Sequence, residues 1–436
     1  MTTEHTRALG FWRSWAIVVG GMIGSAIFMM PAVLAPYGGL GLVSWASAAV
    51  GAILVALTFA SLARRVTTPG GPYAYAHAAF GDFIGFLIAW GYWISLWAAG
   101  ATVAIGFTAY FGALVPAVGA GPFGSITVGL IVLWTLVGVN LLGARGVGIL
   151  GVVTTVLKLL PLAIIGTIGL FYVDRGTLPP MNPTTDGSLH VFASVFALTF
   201  WTFLGMEVIT IPSEDVIAPE RTIPRAVVAG VVTVAAIYLL VGFVALGTVP
   251  GAELQASSSP LADVGRRMAG SWGGTAVAAG ALVSAFGCLN AVLLATSHMA
   301  AAAARDGLFP RALARMTSRH APGVSLVVTG VMISALLIMN QTRGLVGAYR
   351  FILLISTLTS VVPYAFSAMA ALILDVHDHH QPPGRRAREG LTATLAFGVC
   401  IWVIASAGPE TVYWGFLLLM AGLPVYVAVT RQRESL

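Results

Sequence analysis

Charge is what this chain has least of: 9% of its 436 residues are Asp, Glu, Lys or Arg, against roughly 25% in soluble domains. A water-facing globular surface is thereby excluded. Lysine is almost missing, since 21 of the 22 basic residues are arginine and Lys158 is the single exception. The two cysteines, Cys288 and Cys400, provide neither a disulfide framework nor a metal-ligand spacing. Both fall in apolar stretches and read as small packing residues. No A-x-A cleavage pattern follows the first apolar run, so Phe11 opens a membrane span rather than a removable signal peptide. The turn Pro69-Gly70-Gly71-Pro72 lacks both a preceding strand and the Gly-Lys-Ser/Thr ending of a phosphate-binding loop. The spans contain no nucleophile–base pair and no His/Asp/Glu metal constellation, which argues against an enzyme and implies neither cofactor nor metal. Nothing resembles a filter ring or a gating-charge series, as a channel would need. A transporter-like membrane sensor without flux stays open as an alternative of another class.

Hydrophobic residues, by contrast, make up 58% of the chain, and 51 residues are glycine. Crossing a bilayer takes about 20 mostly apolar residues. Twelve stretches meet that requirement: 12–35, 39–63, 82–113, 124–143, 147–173, 190–212, 224–248, 272–303, 323–341, 346–375, 390–407 and 411–430. The fold class expected is an all-α membrane protein of about twelve helices, forming a single domain over 1–436 with the lipid bilayer as its solvent. Sixteen arginines lie on connections that share a side with the N-terminus and five on the opposite side. By the positive-inside rule both termini are cytoplasmic. The net charge of +6 is then a topology signal, and a nucleic-acid partner has no support.

Ionisable residues at bilayer depth are costly and mark functional sites. Lys158 lies near the middle of the fifth stretch, with about eleven apolar residues on either side to oppose snorkelling to an interface. Lysine can surrender its proton when desolvated, whereas arginine does not. Glu207 lies well inside the sixth stretch, where it is either a functional carboxylate or one that binds broken-helix backbone. His298 in the eighth stretch reads as structural. His377, His379 and His380, near Asp375 and Asp378, read as an exposed loop without fixed geometry, and the basic run from Arg305 to Arg319 as topology control with lipid-headgroup contact. Ser356, among the hydroxyls of the tenth stretch, serves either a gate or its own backbone.

Two glycine-rich interruptions complete the pattern: Gly20-Gly21-Met22-Ile23-Gly24-Ser25 in the first stretch and Leu204-Gly205-Met206 in the sixth. Either alone could simply allow close helix packing. Their corresponding positions in two five-helix halves point instead to unwound backbone at a midplane binding site. Freed N–H groups suit a carboxylate and freed carbonyls an ammonium group, so an amino acid can use both and a polyamine only the second.

Five segments in order, Gly21-Met22-Ile23-Gly24-Ser25-Ala26-Ile27-Phe28 with Pro31, Pro69 to Ala76, Trp201 to Glu207, Ala218 to Arg225, and Arg305 to Pro310, resemble the amino acid-polyamine-organocation transporter superfamily. The likeness runs from Phe11 to about Tyr426 and is nearest to its bacterial basic amino acid/polyamine antiporter branch, typified by the arginine/agmatine antiporter. It implies two inverted repeats, 11–173 and 190–375, followed by accessory helices over 390–430. It also implies an inner (plasma) membrane location and alternating access. By position, Ile23, Gly24 and Ser25 would bind a substrate carboxylate, Trp201 would close over the substrate, and Leu204 and Gly205 would face its amino group. Glu207 would link to Tyr92 and sense pH. Some members pair as homodimers, though no interface is legible here.

Departures from that branch bear on substrate. Gly100 and Val292 replace its helix 3 asparagine and helix 8 tryptophan, so a distal pocket of Gly100, Val292 and Met206 is apolar and admits a neutral side chain. Lys158 resembles the helix 5 lysine of other branches, which stands in place of a sodium ion. The function expected is sodium-independent secondary active transport of amino acids, by exchange or by proton coupling. Lys158 serves it either as a proton carrier or as a fixed cation bridging helices 1 and 8. The alternative is a basic amino acid/polyamine antiporter.

Overall fold

The computed structural model describes residues 9–66, 71–119, 122–141, 147–210, 216–318, 321–339, 341–376 and 382–434. Arg7, Pro69, Gly70, Arg145, Arg319, His377, Asp378, His379 and His380 lie outside the described residues, as does the side chain of Asp375. The helices run in the order α1 (Phe11–Met22), α2 (Ala26–Leu34), α3 (Gly38–Arg65), α4 (Pro72–Phe80), α5 (Asp82–Leu114), α6 (Pro116–Gly119), α7 (Pro122–Leu141) and α8 (Val147–Ile168). After a long connection follow α9 (Ser188–Phe200), α10 (Pro219–Thr248), α11 (Gly251–Ala256), α12 (Pro260–Arg305), α13 (Gly323–Met339), α14 (Gly344–Val376), α15 (Pro383–Ser406), α16 (Pro409–Met420) and α17 (Gly422–Glu434). Among the described residues the only β pairing is an isolated bridge between Leu9 and Val216.

Seven helical stretches are long and apolar enough to cross a membrane, and four shorter apolar helices lie among them. One of the seven, Ala26–Arg65, has 40 residues, about 60 Å of helix or twice the hydrocarbon thickness. It folds back at Gly38, whose φ of +57° suits a residue without Cβ, so α2 and α3 are separate elements. Likewise α12 is bent at Ala269 and Gly270, where the backbone leaves helical angles. The eighth apolar stretch therefore begins as a pre-helix at Pro260, earlier than composition alone suggests. Phe171, Leu189, Trp272 and Met339 are largely exposed. In lipid such a surface carries no penalty, because the solvent is as apolar as the side chains.

Packing pairs the elements across the chain: α3 against α10, α5 against α12, and α7 against α13. These are the second and seventh, third and eighth, and fourth and ninth apolar stretches. A two-fold axis in the membrane plane would bring such counterparts together. α1 packs on α10, α8 on α12, and α14 bridges α5 to α15. At one end of the bundle Glu389 of α15 receives Arg64 at 2.7 Å and Arg65 at 2.8 Å from the end of α3, which ties α15 to α3. The outcome is an all-α bundle in which Lys158 and Glu207 are buried beside the points where α1 and α9 stop.

Candidate functional site

α1 ends because Ile23 turns extended (φ −81°, ψ 97°), and α2 restarts only after Ser25. Interrupting a helix orphans carbonyls on its upstream side and N–H groups on its downstream side. Four of the carbonyls here are claimed by side chains from distant helices. Lys158 Nζ donates to Gly20 O at 2.7 Å and to Ile23 O at 2.6 Å. Tyr238 donates its hydroxyl to Met22 O at 2.8 Å, and Ser284 donates to Gly24 O at 3.3 Å. With 4% exposure Lys158 does not snorkel. Its ammonium group caps the C-terminal end of α1, where the helix dipole favours a cation.

The N–H side is less satisfied. Met29 is the first residue of α2 to find a backbone carbonyl, that of Ser25 at 3.2 Å, which leaves Ala26, Ile27 and Phe28 without a backbone acceptor among the described residues. The Ser25 hydroxyl, 2% exposed, faces the Tyr349 hydroxyl, and among the described residues neither makes a well-aligned hydrogen bond. The first break thus offers donors and withholds acceptors.

The second break has a different geometry. α9 tightens into a 3-10 turn over Trp201–Phe203, and Leu204 is extended (φ −64°, ψ 145°). Gly205 has φ +96°, a region costly for residues with a Cβ. Glu207, 2% exposed, folds back so that one carboxylate oxygen accepts the Gly205 N–H at 3.0 Å. The other accepts the Tyr92 hydroxyl of α5 at 2.9 Å. Glu207 thus binds the backbone of its own break and ties that break to α5. A Cβ on Gly205 would lie 3.0 Å from Gly21 O, and one on Gly21 would lie 3.1 Å from Gly205 O. The two interruptions are in backbone contact.

Trp201, 7% exposed, donates its indole N–H to Ser356 Oγ at 3.1 Å and meets Tyr349 edge-on with ring centres 6.2 Å apart. Ser356 in turn donates to Ser95 O at 2.9 Å, so the indole is fastened to α14 and, through it, to α5. Beyond it Tyr110 donates to Phe28 O at 2.6 Å and accepts the Leu261 N–H at 3.1 Å. Against this closed side lies a cavity of about 810 Å³, lined at its other end by Leu9, Trp12, Arg13 and Ala16. Trp12 is 73% exposed. The structure is open toward the N-terminal end of α1 and sealed behind Trp201.

Gly24, Ser25, Tyr92, Lys158, Trp201, Leu204, Gly205, Glu207, Val292 and Ser356 all line this cavity. Three expected wall residues do not. Gly100 faces α13, where a Cβ would meet Ile333 Cδ1 at 2.7 Å, and its neighbours Leu96, Ala99 and Val103 take the wall. Met206 and the Ile23 side chain are fully buried in protein, and Ile23 contributes its carbonyl to Lys158 instead. A helix turns about 100° per residue, so an assignment one position off leaves the wall altogether.

Sequence reasoning missed Cys288, Ser95, Tyr238 and Ser284. Cys288 lines the cavity so close to the first break that a Cβ on Gly24 would lie 2.6 Å from its sulfur. Tyr238 sits on α10 within an apolar stretch that carries no break, and only its partner at Met22 O reveals its use. The spacing of Ser284, Cys288, Ala291 and Ala295 along one helical face was the available signal.

An all-helical membrane protein with a solute-sized cavity between two interrupted spans has the architecture of a secondary transporter. The chain belongs to the amino acid permease family, which it matches over residues 9–429, and so to the amino acid-polyamine-organocation superfamily. It is 29% identical over 440 residues to an arginine/ornithine antiporter of Pseudomonas aeruginosa, covering 97% of this chain and 91% of that one. Its identity to the putrescine transporter PotE of Escherichia coli K12 is 27% over 441 residues, covering 100% and 99%. To the cadaverine/lysine antiporter of the same strain it is 29% over 380 residues, covering 84% and 83%. These relatives support the basic amino acid/polyamine antiporter branch expected from the motifs.

Proposed function

We propose that the chain is a sodium-independent secondary transporter of amino acids that works by alternating access in the inner membrane, with both termini cytoplasmic. The halves 11–173 and 190–375 act as inverted repeats, and helices over 390–430 are accessory. On this reading the open cavity faces the cytoplasm. The observation that carries the proposal is the donor-rich first break: Ser25 and Ala26 stand at the cavity wall, and the Ala26 N–H has no backbone acceptor among the described residues. A carboxylate satisfies such groups, and the α2 dipole adds to its attraction.

The ammonium group of the substrate belongs at the second break, by Leu204 and Gly205, because carbonyls of the first are held by Lys158, Tyr238 and Ser284. Trp201 serves as the gate. Lys158 acts as a fixed cation where a sodium ion would otherwise neutralise the carbonyls, which supports sodium independence. Glu207 is the proton-responsive carboxylate, joined to α5 through Tyr92. Movement of solute rather than covalent chemistry is supported by the relatives, each named as a transporter or antiporter. A second reading, exchange of basic amino acids or polyamines, is favoured by those same names.

The test is flux into proteoliposomes loaded with unlabelled amino compounds, using labelled neutral and basic amino acids with and without a pH gradient. Uptake that requires internal substrate indicates exchange, and uptake driven by an acidic exterior indicates proton symport. Absence of flux for every amino compound would remove the transport reading in favour of a sensor.

A further inference from the structure

The cavity wall has two chemical characters. Its polar groups, Ser25, Lys158, Glu207, Ser95 and Ser356, gather around the breaks and the Trp201 fastening. Between α5 and α12 the wall is hydrocarbon. Leu96, Ala99 and Val103 recur along one face of α5, and Ala291, Val292 and Ala295 along the facing side of α12. Behind them Gly100 gives no depth, because Ile333 and Val292 already fill the space its Cβ would enter. Trp97 points elsewhere, and none of the described lining residues from Leu96 to Val103 or from Ala291 to Ala295 is acidic or aromatic.

Charge elsewhere on the wall does not compensate. Among the described lining residues the charged groups are Arg13, Lys158 and Glu207. Glu207 already accepts from Tyr92 and from the Gly205 N–H. The Lys158 ammonium occupies the carbonyls of Gly20 and Ile23, where another cation would otherwise find partners. A substrate with a second positive charge would lose its water against alkyl groups there, and the one carboxylate among the described lining residues, Glu207, is already engaged. An unpaired charge in such a place is far more costly than a neutral polar group. An aliphatic side chain there gains from leaving water.

We propose that the substrate is an amino acid with an uncharged aliphatic side chain, seated against Leu96, Ala99, Val103, Ala291, Val292 and Ala295. The inference rests on the reading that the breaks hold the carboxylate and the ammonium group. It separates this chain from relatives named for arginine, ornithine, lysine, cadaverine and putrescine.

Binding to the purified full-length protein in detergent tests it, read by competition against labelled leucine and by ligand-induced thermal shift. The competitors are valine, leucine, methionine, ornithine, lysine, arginine, glutamate and putrescine. Leucine or methionine should bind about 100-fold or more tighter than ornithine or lysine, the ratio expected when one side chain gains from burial and the other is left unpaired. Val292→Asp supplies a carboxylate in the pocket and should narrow or invert that ratio. Equal or tighter binding of the basic amino acids or of putrescine to the unsubstituted protein overturns this inference and leaves amino acid transport standing. Failure of every amino acid to bind overturns both.

Discussion

Glu207 allows the sharpest test, because two substitutions of nearly the same residue should part ways. Its carboxylate satisfies two buried donors, the Gly205 N–H at 3.0 Å and the Tyr92 hydroxyl at 2.9 Å. Alanine leaves both without an acceptor, and at about 1–3 kcal/mol for each unsatisfied buried group the loss is about 2–6 kcal/mol. Glutamine can keep both contacts. Its carbonyl accepts the Gly205 N–H and its amide donates to the phenol oxygen, so only the Tyr92 O–H loses its acceptor, against two donors in the alanine variant. Glutamine also loses charge assistance, the difference between about 1.5–3 and about 0.5–1.5 kcal/mol per bond, and it recovers part of this by no longer burying an anion. Thermal unfolding in detergent should therefore rank the unsubstituted protein close to Glu207→Gln and well above Glu207→Ala. Exchange in proteoliposomes across pH 5 to 8 supplies the second readout. On the proposal that Glu207 is the proton-responsive carboxylate, Glu207→Gln should bind substrate with a flattened pH profile. If glutamine destabilises as much as alanine, or if its pH profile matches that of the unsubstituted protein, the assignment of Glu207 as a proton-responsive link is wrong.

Three further outcomes are expected. Lys158→Ala uncaps Gly20 and Ile23, a loss of about 1–3 kcal/mol per carbonyl offset by removal of a buried cation. The folded yield should hold while transport falls at least tenfold or loses its pH dependence; an unaltered rate and profile would assign Lys158 to packing. Trp201→Leu should slow turnover or weaken binding, and Ser356→Ala should do so more mildly by releasing one hydrogen bond of about 0.5–1.5 kcal/mol. Normal rate and affinity in Trp201→Leu would dismiss the gate. Cys288 lines the open cavity whereas Cys400 is fully buried, so a small water-soluble thiol reagent applied from the N-terminal side should block transport, with protection by substrate. Persistence of the block in Cys288→Ala would refute that geometry.

Much of the site was legible because its signals are local. An apolar stretch long enough to span, a glycine run that weakens the helical ladder and an isolated charge at bilayer depth are each contained in a few consecutive residues. For that reason the breaks at Ile23 to Ser25 and at Leu204 to Gly205, and the burial of Lys158 and Glu207 beside them, could be read before any coordinates. The link from Glu207 to Tyr92 needed the family resemblance, since nothing in either segment names the other. Gly100 falls off the cavity wall because which way a helix face points is hidden when apolar residues cover both faces, and Met206 lies in the turn of the second break, where no helical period sets its direction.

The sequence by itself determined an all-helical membrane protein with two weakened spans and two ionisable groups sealed inside, because the bilayer demands continuous apolar helices and penalises every exception. Only the tertiary structure decided what each exception does. Lys158 meets carbonyls 138 and 135 residues away, and Tyr238 reaches Met22 across 216. Those meetings depend on how helices cross, and side chains with no special local pattern, Tyr238, Ser284 and Cys288, were drawn into the site by packing alone.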